Sequence, residues 1–245
     1  MSILEVKNVS KSFGDKKVLE DISIKLNKGE IVSLIGSSGS GKSTLFNVIA
    51  GLICPDKGKV YLDSEDITGV SGKISYMLQK DMLLPYRTVV DNVALPLIIK
   101  GMNKKEARQS ASALFEQFGI DGYEKEYPAK MSGGMRQRAA LLRTYLFGGE
   151  VAILDEPFSA LDMITKRDMH RWYLEVMKEI NLSTLFVTHD IDEAILLSDR
   201  IYVLSGVTGN ISKEIIIKER ETRSVDFNLT DKFLEYKNQI TKLLM

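Results

Sequence analysis

The run Gly36-Ser37-Ser38-Gly39-Ser40-Gly41-Lys42-Ser43-Thr44 constrains this chain more than any other stretch. It fits the phosphate-binding pattern G-x-x-x-x-G-K-[ST], in which glycines let the backbone wrap close to a phosphate that a Cβ would block. Residues 30–35 before it are apolar and β-branched and read as a buried strand. Residues 44–50 after it contain no breaker and read as a helix that stops at Gly51. A strand, a glycine turn and a helix bring unpaired backbone N–H groups and the positive end of a helix dipole to one point. Lys42 adds a mobile positive charge for terminal phosphates, and the Ser43 hydroxyl is a hard oxygen ligand of the kind magnesium prefers.

Composition narrows the remaining classes. A chain of 245 residues allows one large domain or two small ones with a substantial core. Lysine plus arginine balance aspartate plus glutamate at 33 each, so there is no global electrostatic footprint for nucleic acid or an anionic membrane. The one cysteine, Cys54, cannot form an internal disulfide, and no cluster has zinc-site spacing. No basic-then-apolar leader and no apolar run of spanning length is present. The expectation is a cytosolic protein that reaches a membrane only through a partner.

Further along, residues 3–9 and 18–26 alternate apolar with polar and read as strands around a turn at Gly14 and Asp15. Phe13, just before that turn, is either a hairpin aromatic packed on the sheet or a stacking platform for a nucleotide base. Residues 59–63 and 73–78 read as strands, and Gln79 ends the second. A mainly helical section follows: residues 89–99, interrupted by Pro96, then 103–118 with Asn103 as cap, then 135–147. Ser132, Gly133 and Gly134 open the last of these and offer a second possible phosphate site at a helix N-terminus, or a plain cap. Residues 151–157 form an apolar strand ending in Asp155 and Glu156. Beside a phosphate loop, Asp155 is placed to position magnesium and Glu156 to act as general base on water. Residues 159–162 turn into a helix over 165–180, and the strand 184–190 ends in His189 and Asp190. His170, in mid-helix, reads as structural. Residues 201–204 and 211–217 suggest a closing strand pair, and 231–244 an amphipathic helix.

Taken in order, these motifs resemble the ATP-binding cassette family, the nucleotide-binding subunits of ABC transporters, over nearly the whole chain. The resemblance rests on residues 36–44, on Gln79 as the family's glutamine loop, and on Met131-Ser-Gly-Gly-Met-Arg-Gln-Arg138 as its signature. It rests also on residues 151–156, on 159–162 and on the switch histidine His189. Met131 and Met135 stand where the family usually has leucine and glutamine, and neither change touches the Ser132–Gly134 backbone. The resemblance implies an α/β fold: a P-loop NTPase core with an N-terminal antiparallel β subdomain and an inserted helical subdomain near 84–147. The whole forms one domain over 1–245. It implies ATP and Mg2+ as cofactors and a head-to-tail homodimer. ATP on residues 36–44, Phe13 and Gln79 of one copy is closed by Ser132, Gly133, Gly134 and Asp162 of the other. Ser43, Gln79 and Asp155 then hold magnesium, while Glu156 and His189 are catalytic.

The stretch after Gln79, residues 79–97, is similar to the importer branch that serves nitrate, sulfonates and taurine, with some members serving pyrimidine thiamine precursors. It implies an integral membrane permease, an external substrate-binding protein and a peripheral position on the cytoplasmic face of the cell membrane. The expected cargo is a small anion or sulfonate, with a thiamine pyrimidine precursor as alternative. Leu83, Leu84 and Tyr86 are then expected beside the groove that receives the permease's coupling helix. The competing class is a soluble ATPase of the iron–sulfur cluster assembly type. With a short stretch after Asp199, the expectation is no large regulatory domain of the sort some importer ATPases carry.

Overall fold

The computed structural model describes residues 2–206, 208–219 and 225–244. The chain opens with a long hairpin, β1 (Ser2–Phe13) and β2 (Lys16–Asn27), then β3 (Ile31–Gly36) and α1 (Lys42–Ile49). Strands β4 (Lys57–Leu62), β5 (Glu65–Asp66) and β6 (Ser75–Met77) follow. A helical section comes next: α2 (Val89–Val93), α3 (Leu95–Ile99), α4 (Lys104–Ser112) and α5 (Gly133–Leu146). Then β7 (Val151–Asp155), α6 (Met163–Ile180), β8 (Ser183–Thr188), α7 (Ile191–Leu197), β9 (Arg200–Ser205), β10 (Asn210–Ile216) and α8 (Asp231–Leu244) complete it.

Two sheets result. One is antiparallel, in the order β2-β1-β4-β5; the other runs β10-β9-β3-β8-β7-β6 and is parallel except for β10. The parallel strands are apolar on both faces because both faces are covered. Along β3, Val32 and Leu34 enter a core shared with the antiparallel sheet and α1, while Ile31 and Ile35 enter a second core shared with the helices. The same alternation holds in β7, where Val151 and Ile153 face one core and Ala152 and Leu154 the other. The helical section lies in sequence between β6 and β7, which pair directly, so it is an excursion from one sheet edge. No helix among the described residues is long and apolar enough to cross a membrane.

Three local expectations are corrected, and the interruption expected at Pro96 is borne out. The strand expected over 73–78 is only Ser75–Met77, because β6 is an edge with β7 as its pairing neighbour and the chain leaves it for the helical section. The helix expected over 103–118 stops at Ser112. Beyond it, Leu114 and Phe115 donate to carbonyls three residues back, and these tighter turns tuck Phe115 and Phe118 into the core. Pro96 splits 89–99 into two short helices and sits in the first turn of α3, where its missing N–H costs nothing. The segment after His189 is a helix, α7, with Asp190 as its cap: the Asp190 side chain accepts from the N–H groups of Asp192 and Glu193.

Candidate functional site: a nucleotide cleft at the strand ends

The phosphate loop forms where β3 leaves the sheet at its carboxyl end, the usual ligand position in open parallel sheets. Gly36 has no room for a side chain, since a Cβ would lie 2.6 Å from the Leu204 carbonyl oxygen. Gly41 turns the chain at φ +94°, and it caps α1 with no side chain to offer to the first amides. Those amides remain directed at the loop, as an anion requires. Lys42 reaches back along the loop, its Nζ donating to the carbonyls of Gly36 and Ser37 at 2.8 Å each. Burial holds its pKa below the ordinary lysine value, with Glu156 and Asp155 opposing.

Around this loop opens a cleft of about 710 Å³ lined by Phe13, Lys16, Val18, Ser38, Gly39, Gly41, Lys42, Ser43, Thr44, Gln79, Glu156 and His189. Phe13 is half exposed at the end of β1 and lines the cleft. Lys16 and Val18 were not singled out by the motifs. Their signal was the hairpin register, in which Lys16 pairs with Phe13 and strand alternation returns Val18 to the same face. Ser40 is not on the cleft: it is buried under the loop, next to Gly36.

Glu156 lines the far wall of the cleft, and Asp155, just before it, ends β7 near the Ser43 and Tyr76 hydroxyls. Its burial and then the Glu156 charge push its pKa above the ordinary carboxyl value, with Lys42, Ser43 and Tyr76 pulling the other way. Burial, with Asp155 adding to it, also pushes the Tyr76 phenol up. Glu156 follows with φ +45°, a left-handed conformation costly for a residue with a Cβ. Its N–H bonds the Val187 carbonyl at 3.0 Å, so the turn out of β7 is anchored on β8. The side chain is thereby aimed across the strand ends. Glu156 Oε2 accepts from Gln79 Nε2 at 3.1 Å and lies 3.2 Å from His189 Nδ1. Three motifs far apart in sequence thus meet at one carboxylate oxygen.

The residues expected to act from a second copy lie elsewhere. Ser132 caps α5, its hydroxyl accepting from the Met135 N–H at 3.3 Å. Gly133 borders a neighbouring groove of about 700 Å³ that also touches Gln79, Glu156 and His189. Gly134 packs on Thr165. Asp162 caps α6, accepting from the N–H groups of Ile164 and Thr165 at 3.1 and 3.0 Å. Of the expected permease-facing trio, Leu83 is corrected: Asp81 accepts its N–H at 3.0 Å and the turn sends the side chain into the core. Tyr86 is 72% exposed. Leu84 is held through its backbone, with Asn92 accepting from its N–H at 2.6 Å and donating to its carbonyl at 3.1 Å. Sequence reasoning also missed Arg143, whose guanidinium donates to the Asp81 and Met82 carbonyls and ties the glutamine loop to α5.

Known proteins were compared with this geometry in hand. Residues 19–159 match the ABC transporter family. The formylaminopyrimidine import ATP-binding protein of Halalkalibacterium halodurans is 46% identical over 189 residues, 77% of this chain and 74% of the relative. The nitrate import ATP-binding protein of Synechocystis is 35% identical over 98% of this chain and 94% of its own length. The aliphatic sulfonates import ATP-binding protein of Bacillus cereus is 43% identical over 88% and 85%. Among solved structures, a dimeric ATP-binding cassette in a post-hydrolysis state with ADP and Pi superposes with a TM-score of 0.74 at 30% identity. It covers 88% of this chain and 99% of that one. The phosphate loop, the paired carboxylates and the histidine at adjacent strand ends therefore sit in a chain that belongs to the ABC transporter family of ATP-binding cassettes.

Proposed function

We propose that this chain is the ATP-hydrolysing subunit of an importer, working as a head-to-tail pair on the cytoplasmic face of the cell membrane beneath a separate permease. The observation that carries the reading is the Glu156 carboxylate, shared between Gln79 and His189 directly across from the Lys42 loop. Phe13 stacks the base, the amides at the start of α1 and Lys42 hold the phosphates, and Glu156 takes the proton of the attacking water. Gln79 and His189 orient that carboxylate and meet the terminal phosphate. Ser132, Gly133, Gly134 and Asp162 of a second copy close the site.

The donors present fit magnesium. The Ser43 hydroxyl stands near the Asp155 carboxylate, and the Gln79 amide oxygen adds a third hard oxygen. Bound there, magnesium neutralises phosphate charge. For the cargo, the nitrate and sulfonate relatives favour a small anion or sulfonate. The 46% identity to the formylaminopyrimidine protein favours a pyrimidine as the second reading. An external binding protein delivers either.

The test is purification of the Glu156→Gln protein with ATP from gently solubilised membranes. Turnover falls by roughly 10²-fold or more, the usual contribution of a positioned general base, while ATP stays bound. A multi-span membrane subunit in equal copy number comes with it. Near-normal turnover removes Glu156 as base, and soluble partners alone return the chain to the cluster-assembly class. Calorimetry of the associated binding protein with nitrate, an alkanesulfonate and formylaminopyrimidine then assigns the cargo.

A further inference from the structure

Behind His189 lies a buried polar group that the cleft chemistry does not use. Glu193, on α7, is 3% exposed, and His170, on α6, is 7% exposed. His170 Nε2 lies 3.0 Å from Glu193 Oε1. A carboxylate only accepts, so the proton belongs on Nε2. The other carboxylate oxygen accepts from the Thr188 hydroxyl, and that hydroxyl accepts from the Asp190 N–H at 3.0 Å. Thr188 and Asp190 flank His189. Lys166, one helical turn before His170, pairs with Asp190 at 3.3 Å, so α6 grips the 188–190 segment at two points. On its other side, the His170 ring receives Phe158 edge-on, with centroids 5.1 Å apart. Phe158 belongs to the loop that carries Glu156. The imidazole of His170 therefore touches one catalytic loop directly and the other through Glu193.

We propose that His170 and Glu193 are a positioning pair that sets how His189 approaches Glu156 and the terminal phosphate. This rests on the ATPase reading of the cleft. Neither residue lines that cleft, so neither is catalytic. A buried carboxylate is costly unless paired, and here one oxygen holds His170, whose ring packs on the Glu156 loop, while the other holds Thr188 beside His189.

The chain has two histidines, so imidazole-labelled His170 variants leave a single ring resonance, that of His189. His170→Gln retains an N–H that can serve Glu193; His170→Leu does not. In the glutamine variant the His189 resonance keeps its wild-type position, and kcat stays within about twofold. In the leucine variant the resonance shifts and kcat falls about tenfold, the scale of a slightly misplaced group. KM for ATP changes less than about twofold in both, since Phe13, Lys42 and the phosphate loop are untouched. Thr188→Val, which keeps side-chain shape and removes the hydroxyl link, shifts the resonance as well and covers the case in which the leucine variant does not fold. An unmoved resonance in the leucine and valine variants overturns the proposal. Equal losses in the glutamine and leucine variants, or a rise in KM at constant kcat, do the same. Failure of the ATPase reading is seen separately, as wild-type protein without hydrolysis, while the resonance still reports on the pair.

Discussion

Asp155 and Glu156 stand side by side, and each is held against a local preference. Burial raises the Asp155 pKa, so the folded chain binds that proton more tightly than the unfolded chain does. Linkage then makes stability fall as pH rises from the ordinary carboxyl value through the folded one. Asp155→Asn is expected to raise the urea midpoint at pH 7 and to leave it unchanged near pH 3, below both values; a midpoint lowered at pH 7 would contradict this. For Glu156 the cost is in the backbone, at φ +45°. Glu156→Gly and Glu156→Ala both lose the contacts to Gln79 and His189, so their difference isolates the conformation. Glycine is expected to be more stable than alanine by about 1 kcal/mol in urea unfolding. Equal midpoints would show that the turn carries no strain.

Among the elements, legibility followed burial. Strands β3, β7, β8 and β9 were readable because both faces of their sheet are covered, which leaves long apolar runs. The phosphate loop, Glu156 and His189 were readable because each sits at the end of such a run. Helix α7 was not, since seven residues give too short a period, and Asp190 looked like the end of a strand rather than a cap. The Arg143 clamp depends on partners, the Asp81 and Met82 carbonyls, that come together only in three dimensions. The 84–88 loop shows the same limit. Its sequence resembled a permease-facing segment, yet its shape is imposed by Asn92, fully buried on α2. Besides the two bonds to Leu84, Asn92 donates to the carbonyls of Arg87 and Thr88 at 3.2 and 3.0 Å. Asn92→Ala leaves buried backbone groups unpaired and is expected to cost about 2–3 kcal/mol. A proteolytic cut between Leu84 and Thr88 should appear in the variant before any other; a change below about 0.5 kcal/mol would mean that water replaces the amide without loss.

At the scale of the whole molecule, the head-to-tail pairing proposed above accounts for residues that one copy leaves outside its own cleft. Its own Ser132 and Asp162 are spent as helix caps, away from the cleft around Lys42. Light scattering of the Glu156→Gln protein is expected to show an ATP-dependent doubling of mass at micromolar concentration. Adding Lys42→Ala should abolish it by removing a charge-assisted phosphate contact of roughly 1.5–3 kcal/mol. Doubling that persists in the double variant would mean that copies associate through another face. The left-handed turn at Glu156 also has a meaning on a longer clock. A glutamate codon lies a single base change from a glycine codon, and at this position that change releases conformational strain. Mutation supplies the relief continually, so, with Glu156 as the proposed base, selection for turnover is what keeps the carboxylate. In any lineage that keeps this sheet but abandons hydrolysis, position 156 should be among the first to drift.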